Sequence, residues 1–235
     1  MKQLRLTPAR VLAVYAHPDD ADVAAGGTLA SWAAAGADVT LVIGCDGAKG
    51  SHDPDVRPDD LRERRAHELA VAAGILGITT VASLDYADGE LTNTPELRES
   101  LVGFVRRARP DVVLGPDPTA SFFGGVYWNH VDHRELGTAL LDAVAPASAM
   151  PLYFPAAGPA HAVPLVLLSG THDPDVVVDV TANLETKVKA VLAHASQVGN
   201  DAESVRRVLA DRASQAGREV AVTYGEAFRS LELAV

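Results

Sequence analysis

The stretch Arg10–Gly44, "RVLAVYAHPDDADVAAGGTLASWAAAGADVTLVIG", decides the fold. "RVLAVYA" (10–16) is a short β-branched and apolar run, which predicts a buried strand. "DVAAGGTLASWAAAG" (22–36) predicts a helix that closes on Gly36, and "DVTLVIG" (38–44) predicts a second strand. Two strands without an exposed polar face, joined by one helix, pair in parallel through a right-handed crossover. Between the first strand and its helix lies "HPDDAD" (17–22), where a histidine and three acids crowd the place at which the core ends.

The pattern repeats outward. "CDGAKGSHDPDVRPDD" (45–60) is loop, rich in turn residues. "DLRERRAHELAVAAGILG" (60–77) predicts a helix with acids in its first turn and Gly77 after its last. "TTVASLDY" (79–86) is a third strand, "TPELRESLVGFVRRA" (94–108) a helix capped by Thr94, and "DVVLGPD" (111–117) a fourth strand. The expected class is therefore α/β: a Rossmann-like open, mostly parallel sheet with helices on both faces. The C-terminal half is less regular. There, helix "HRELGTALLDAV" (133–144) leads to a Pro/Ala-rich connection (145–164), strands "PLVLLSG" (164–170) and "DVVVDV" (175–180), two helices (184–196 and 203–216) and a last strand, "FRSLEL" (228–233).

A chain of 235 residues with 48% hydrophobic content can bury a full core, and residues 1–235 are expected to form one domain. The net charge of −11 argues against nucleic acid or an anionic membrane as partner. No stretch is apolar for long enough to span a bilayer, and the start lacks the apolar core of a signal peptide. One cysteine, Cys45, cannot form an internal disulfide, which fits the cytoplasm; it lies in an apolar run and reads as a buried small hydrophobe. These features point to a small-molecule ligand and leave room for a homo-oligomer.

In open α/β sheets, ligands bind beyond the carboxyl ends of the strands. Those ends supply His17, Asp19 and Asp20; Asp46 and Lys49; Asp85 and Asp88; and Asp117. "NHVDHRELG" (129–137) then adds His130, Asp132 and His133. Histidine and aspartate suit Zn²⁺ or a similar divalent ion, and a catalytic site needs three protein ligands with one position open. His17 and Asp20 can grip one ion from a tight turn stiffened by Pro18, with His133 or His130 as third ligand. Taken singly, "HPDD" is as well explained by a helix cap, and "HVDH" by a helix start with surface histidines. Their joint placement at one sheet edge favours the metal. "SHDPD" (51–55) and "THDPD" (171–175) read as turns.

Taken in order, "AHPDD", "GGTLA", "CDGAKG", "RRAHELAVAAGILG", "DYADGEL", "RPDVVL", "NHVDHRELG", "VVVDVT", "HASQ" and "EAFR" resemble the PIG-L/LmbE-like family of zinc-dependent de-N-acetylases over nearly the whole chain. The resemblance implies hydrolysis of an N-acyl, usually N-acetyl, group from an amino-sugar conjugate. It assigns His17, Asp20 and His133 as metal ligands, Asp19 as general base, His130 as the group that stabilises the oxyanion, and Asp132 as the carboxylate that orients His130, with either Asp19 or His130 protonating the leaving amine. Arg65 and Asp88 fall in its sugar-contacting blocks. Two positions depart from the pattern: Ala21 follows "HPDD" where glutamate is common, and Val131 stands where proline is common.

The ion would be Zn²⁺, with Fe²⁺ as the alternative, because a His₂Asp set binds either. Two other classes compete. A metal-dependent phosphoesterase predicts a second metal, and a catalytically silent metal-binding Rossmann-type module predicts binding alone. A nucleotide-binding module would place a glycine-rich turn directly after the first strand, where "HPDDAD" stands instead.

Overall fold

The computed structural model describes residues 1–199 and 201–233. Strand β1 is Lys2–Gln3 and β2 is Arg10–Tyr15. Side chains alternate along β2, so that Val11, Ala13 and Tyr15 enter one core while Leu12, Val14 and Ala16 enter the other. A strand buried on both faces belongs at the middle of a sheet. Helix α1 (Asp20–Ala34), β3 (Asp38–Cys45), α2 (Pro58–Leu76), β4 (Thr80–Tyr86), α3 (Pro95–Ala108) and β5 (Val112–Pro116) follow, each within a few residues of its expected bounds. Gly77, with φ 79°, ends α2, and the Thr94 side chain caps α3 by accepting from the Leu97 amide.

Beyond β5 the chain makes a short hairpin not anticipated above, β6 (Phe122–Phe123) and β7 (Tyr127–Trp128), although the Gly124–Gly125 pair between aromatic residues is a turn signal. Then come α4 (Val131–Asp142), continued by a helical segment Ala143–Ser148, and β8 (Leu165–Ser169), β9 (Val176–Asp179), α5 (Leu184–Ala193), α6 (Ala195–Val198), α7 (Ala202–Arg218) and β10 (Gly225–Glu232). Strand order in the main sheet is β1-β9-β10-β8-β5-β2-β3-β4. Every pairing is parallel except those of β10, which runs antiparallel to both β8 and β9. Helices α1, α2, α5 and α7 cover one face; α3, α4 and the 143–148 segment cover the other.

A buried ion pair and a buried side-chain hydrogen bond hold α5 and its C-cap in place. Lys187 Nζ meets Glu226 Oε1 at 2.6 Å, and His194 Nε2 lies 3.0 Å from Asp22 Oδ2. On the opposite face, buried Arg106 donates to the carbonyls of Ala147, Ser148, Met150, Tyr153, Phe154 and Gly158 at 2.8–3.2 Å. One guanidinium thereby shapes the Pro/Ala-rich connection. Among the described residues no helix is long and apolar enough to cross a membrane.

The chain leaves β2 towards β3 on one side and returns through β5 on the other, so the topological switch point lies between β2 and β5. A crevice forms at such a point, outside the carboxyl ends of the strands. Gly137 lets α4 approach it closely, because a Cβ there would lie 2.6 Å from the Pro116 carbonyl oxygen.

Candidate metal centre

The turn after β2 is fixed by its own atoms. The His17 amide donates to Asp20 Oδ2 at 2.8 Å, and the Asp20 amide donates to the His17 carbonyl at 3.2 Å. Asp19 occupies the helix-cap position but makes no cap bond with its side chain. Instead its Oδ1 accepts from Arg65 Nη2 at 2.7 Å. Arg65, on α2, is 3% exposed and also donates through Nη1 to the Gly47 carbonyl at 2.9 Å. Gly47 is at φ 67°, and a Cβ there would collide with that guanidinium.

The start of α4 meets this turn. His17 Nδ1 and His133 Nε2 are 3.2 Å apart, His133 Nε2 and Asp20 Oδ2 are 3.1 Å apart, and His17 Nδ1 and Asp20 Oδ2 are 3.4 Å apart. With metal–ligand bonds of about 2.0–2.1 Å, neighbouring corners of a tetrahedron are separated by about 3.3 Å. The three atoms thus have the spacing of three corners around one ion.

The outer nitrogens fit as well. His133 Nδ1 donates to Asn129 Oδ1 at 3.0 Å, so its Nε2 lone pair is free for a metal. His17 Nε2 faces Asp132 Oδ2 and Asp88 Oδ1, each at 3.2 Å, which leaves Nδ1 as its ligand atom.

Electrostatics agree with this reading. Burial disfavours a charged His17, yet hydrogen bonds to Asp132, Asp20 and Asp88 outweigh it and push the pKa up to about 12. Burial opposes ionisation of Asp20 too, but His133 and His17 hold it well below the usual carboxylate range. Burial likewise opposes ionisation of Asp132, yet His17 and the Gly89 amide bring it down to about 2. The cluster demands positive charge, and a divalent cation bound to neutral imidazoles meets that demand.

Asp132 is fully buried and accepts from several groups. Its Oδ2 accepts from His17, from the Gly89 amide at 2.7 Å and from Cys45 Sγ at 3.3 Å, while Oδ1 accepts from the Leu91 amide at 3.2 Å. Its carboxylate comes no closer than 3.6 Å to His130 Nδ1, which instead accepts from the Asp132 backbone amide at 3.3 Å. Asp132 Oδ2 therefore lies between the two rings, 3.2 Å from His17 Nε2 and 3.6 Å from His130 Nδ1.

Arg65 and Asp88 are largely buried, with polar atoms facing Asp19 and His17, and both line the open cleft beside those residues. Burial opposes ionisation of Asp88, but His17 lowers its pKa. Asn129 was not singled out from the sequence; its place four residues before His133 on a helix start is the signal available. Cys45 is buried as expected, but its bond to Asp132 was not legible.

The other strand-end groups have structural partners. Lys49 pairs with Glu90 at 2.6 Å, Asp46 with Arg62 at 2.9 Å, Asp85 with Ser83, and Asp117 with Thr119. A second possible ligand group, His17, Asp88, His130 and Asp132, shares His17 with the first. A second ion would have to take the other nitrogen of the same ring, so a two-metal phosphoesterase gains no independent ligand set.

The cleft around these atoms has two lobes that meet at Asp20, His133 and Tyr127. One, of about 350 Å³, is lined by Asp19, Arg65, Asp88 and His130. The other, of about 630 Å³, is lined mainly by apolar side chains.

The mostly parallel sheet thus carries, at its switch point, a His₂Asp group that could hold a metal ion. Residues 12–144 match the family model described as PIG-L, GlcNAc-PI de-N-acetylase, and the chain belongs to that family. It is 35% identical to the diacetylchitobiose deacetylase of Thermococcus kodakarensis, over 82% of this chain and 71% of that one. It is 31% identical to the 1D-myo-inositol 2-acetamido-2-deoxy-alpha-D-glucopyranoside deacetylase of Mycobacteroides abscessus, over 85% and 86%. Among solved structures, N,N'-diacetylchitobiose deacetylase from Pyrococcus horikoshii, complexed with an inhibitor, superposes with a TM-score of 0.86 at 32% identity, covering 96% of this chain and 84% of that one.

Proposed function

We propose that this protein is a cytoplasmic, metal-dependent amidohydrolase that removes an N-acyl group, acetyl in the first instance, from an amino-sugar conjugate and releases the acid and a free amine. The observation that carries this reading is the triangle of His17 Nδ1, Asp20 Oδ2 and His133 Nε2 beside an uncoordinated Asp19. Family membership and the acetylated amino sugars named for its relatives support the substrate class.

His17, Asp20 and His133 would hold the ion, Zn²⁺ first and Fe²⁺ as the alternative. Bound there, it would lower the pKa of water to about 7 and polarise the acyl carbonyl. Asp19, adjacent to ligand Asp20, accepts the proton of the attacking water. Arg65 fixes that carboxylate by its bond to Oδ1, and Asp19 lines the smaller lobe of the cleft. His130 donates to the oxygen on which negative charge develops. Its Nδ1 already accepts the Asp132 amide, so the neutral ring carries its proton on Nε2 and needs no imidazolium to act as donor. Asp19 then returns its proton to the departing nitrogen.

The test is to load the protein with Zn²⁺ or Fe²⁺, supply a panel of N-acetylglucosaminyl conjugates and assay free amine, alongside Asp19→Ala and His133→Ala. Amine release that is lost in both variants, with metal retained only by Asp19→Ala, is the expected result. Equal release by all three proteins would refute it.

A further inference from the structure

We propose that the 630 Å³ lobe receives the acyl chain and that the protein accepts N-acyl groups longer than acetyl, a specificity that rests on the amide-hydrolysis reading above. The two lobes are not equivalent about the metal ligands. Asp19 and His130 line only the smaller one, together with Lys49, Arg65, Asp88 and Gln197. A leaving nitrogen must lie within reach of the group that protonates it. Its substituent, the sugar, therefore occupies the polar lobe that holds Asp19. The acyl carbon then directs its own substituent past Asp20 and His133, into the opposite lobe.

That lobe is far larger than acetyl requires. A methyl group is close in size to a water molecule, whose share of liquid volume is about 30 Å³. The walls are Tyr15, Val23, Ala24, Pro116, Phe123 and Val126. Of its polar members, Asp20 and His133 belong to the candidate ligand set, Asn129 is bonded to His133 and the Ala120 carbonyl, and Ser169 to Tyr15 and the Gly115 carbonyl. Asp117 directs Oδ1 to the Thr119 amide and hydroxyl and has Arg229 3.9 Å from Oδ2, and Arg212 is an exposed residue. Such a surface suits an unbranched neutral hydrocarbon chain. The chemistry is the same for any chain length: water adds to the acyl carbon, the C–N bond breaks with its electron pair on nitrogen, and nitrogen takes the proton held by Asp19.

The experiment uses the full, zinc-loaded chain and methyl glycosides of glucosamine carrying N-acetyl, N-butanoyl or N-hexanoyl groups, with kcat/KM read from free amine. A methylene that becomes fully buried is worth about fourfold, so kcat/KM is expected to rise from acetyl to hexanoyl. Ala24→Trp, which fills the lobe from α1, is expected to lower the hexanoyl-to-acetyl ratio at least about tenfold. Turnover of the acetyl substrate with a tenfold or greater loss at hexanoyl overturns this inference and leaves the hydrolase reading standing. So does an Ala24→Trp protein with an unchanged ratio, or one that loses discrimination for a second glucosamine ring on the glycoside instead. No amine from any substrate overturns both readings.

Discussion

Two segments face the same cleft and are built on opposite principles. The turn Ala16–Asp20 is anchored by directional bonds on every side: backbone bonds of its own, two carboxylates behind His17, and a buried guanidinium on Asp19. The hairpin β6–β7 is anchored by faces. Phe122 stacks on Trp128 at 6.3 Å and Phe123 meets His172 in a tilted contact at 4.8 Å, while Arg134 lies 5.1 Å over the Trp128 ring. Alternation sends Phe123 and Tyr127 towards the cleft and Phe122 and Trp128 away from it. Val126 at its tip is 94% exposed. Hydrogen bonds fix atoms to fractions of an ångström, as bond-making steps require, whereas aromatic contacts tolerate sliding. On the proposed function, reaction chemistry falls to the first segment and selection of what enters to the second.

Substitutions can break this division, and the largest effect is expected at a ligand. His133→Ala should lose stoichiometric metal, measured by elemental analysis, and activity should fall by about 10³-fold or more. Asp19→Asn should keep its metal while kcat falls about 10²- to 10⁴-fold; loss of metal there would move Asp19 into the ligand set. Asp132→Asn removes the negative partner of His17 and should weaken metal affinity about 10- to 100-fold by competition with a chelator. If kcat falls with affinity unchanged, Asp132 acts on His130 after all. The smallest effect is expected from Tyr127→Ala in the hairpin: KM should rise up to about tenfold with kcat nearly constant, the signature of lost uniform binding. A fall in kcat instead would show that the hairpin helps to align the reacting groups.

The central strands and their helices were legible because their residues obey one rule each. Arg10–Tyr15 and Asp38–Cys45 are apolar on both faces, and α2 and α3 carry the glycine and threonine that stop and start helices. The antiparallel course of β10 was not legible, since "FRSLEL" has the same composition whichever way it runs. In the site, the inner residues could be read from motif order, but the partners of Asp132, Arg65 and Asp88 could not. Each of those contacts joins segments some forty or more residues apart, and no local pattern encodes which carboxylate will stand behind which ring. Likewise, nothing local in "LETKVKAVLAHAS" encodes that Lys187 and His194 are buried against acids from elsewhere in the chain.

Arg106 has a consequence for how this surface can change. It reads carbonyl oxygens alone, and every residue type offers the same carbonyl. The side chains from Met150 to Tyr153, exposed on that loop, are therefore free to drift in evolution without altering its path. A single buried cation thus turns an irregular loop into a fixed frame on which new outward-facing residues can be displayed.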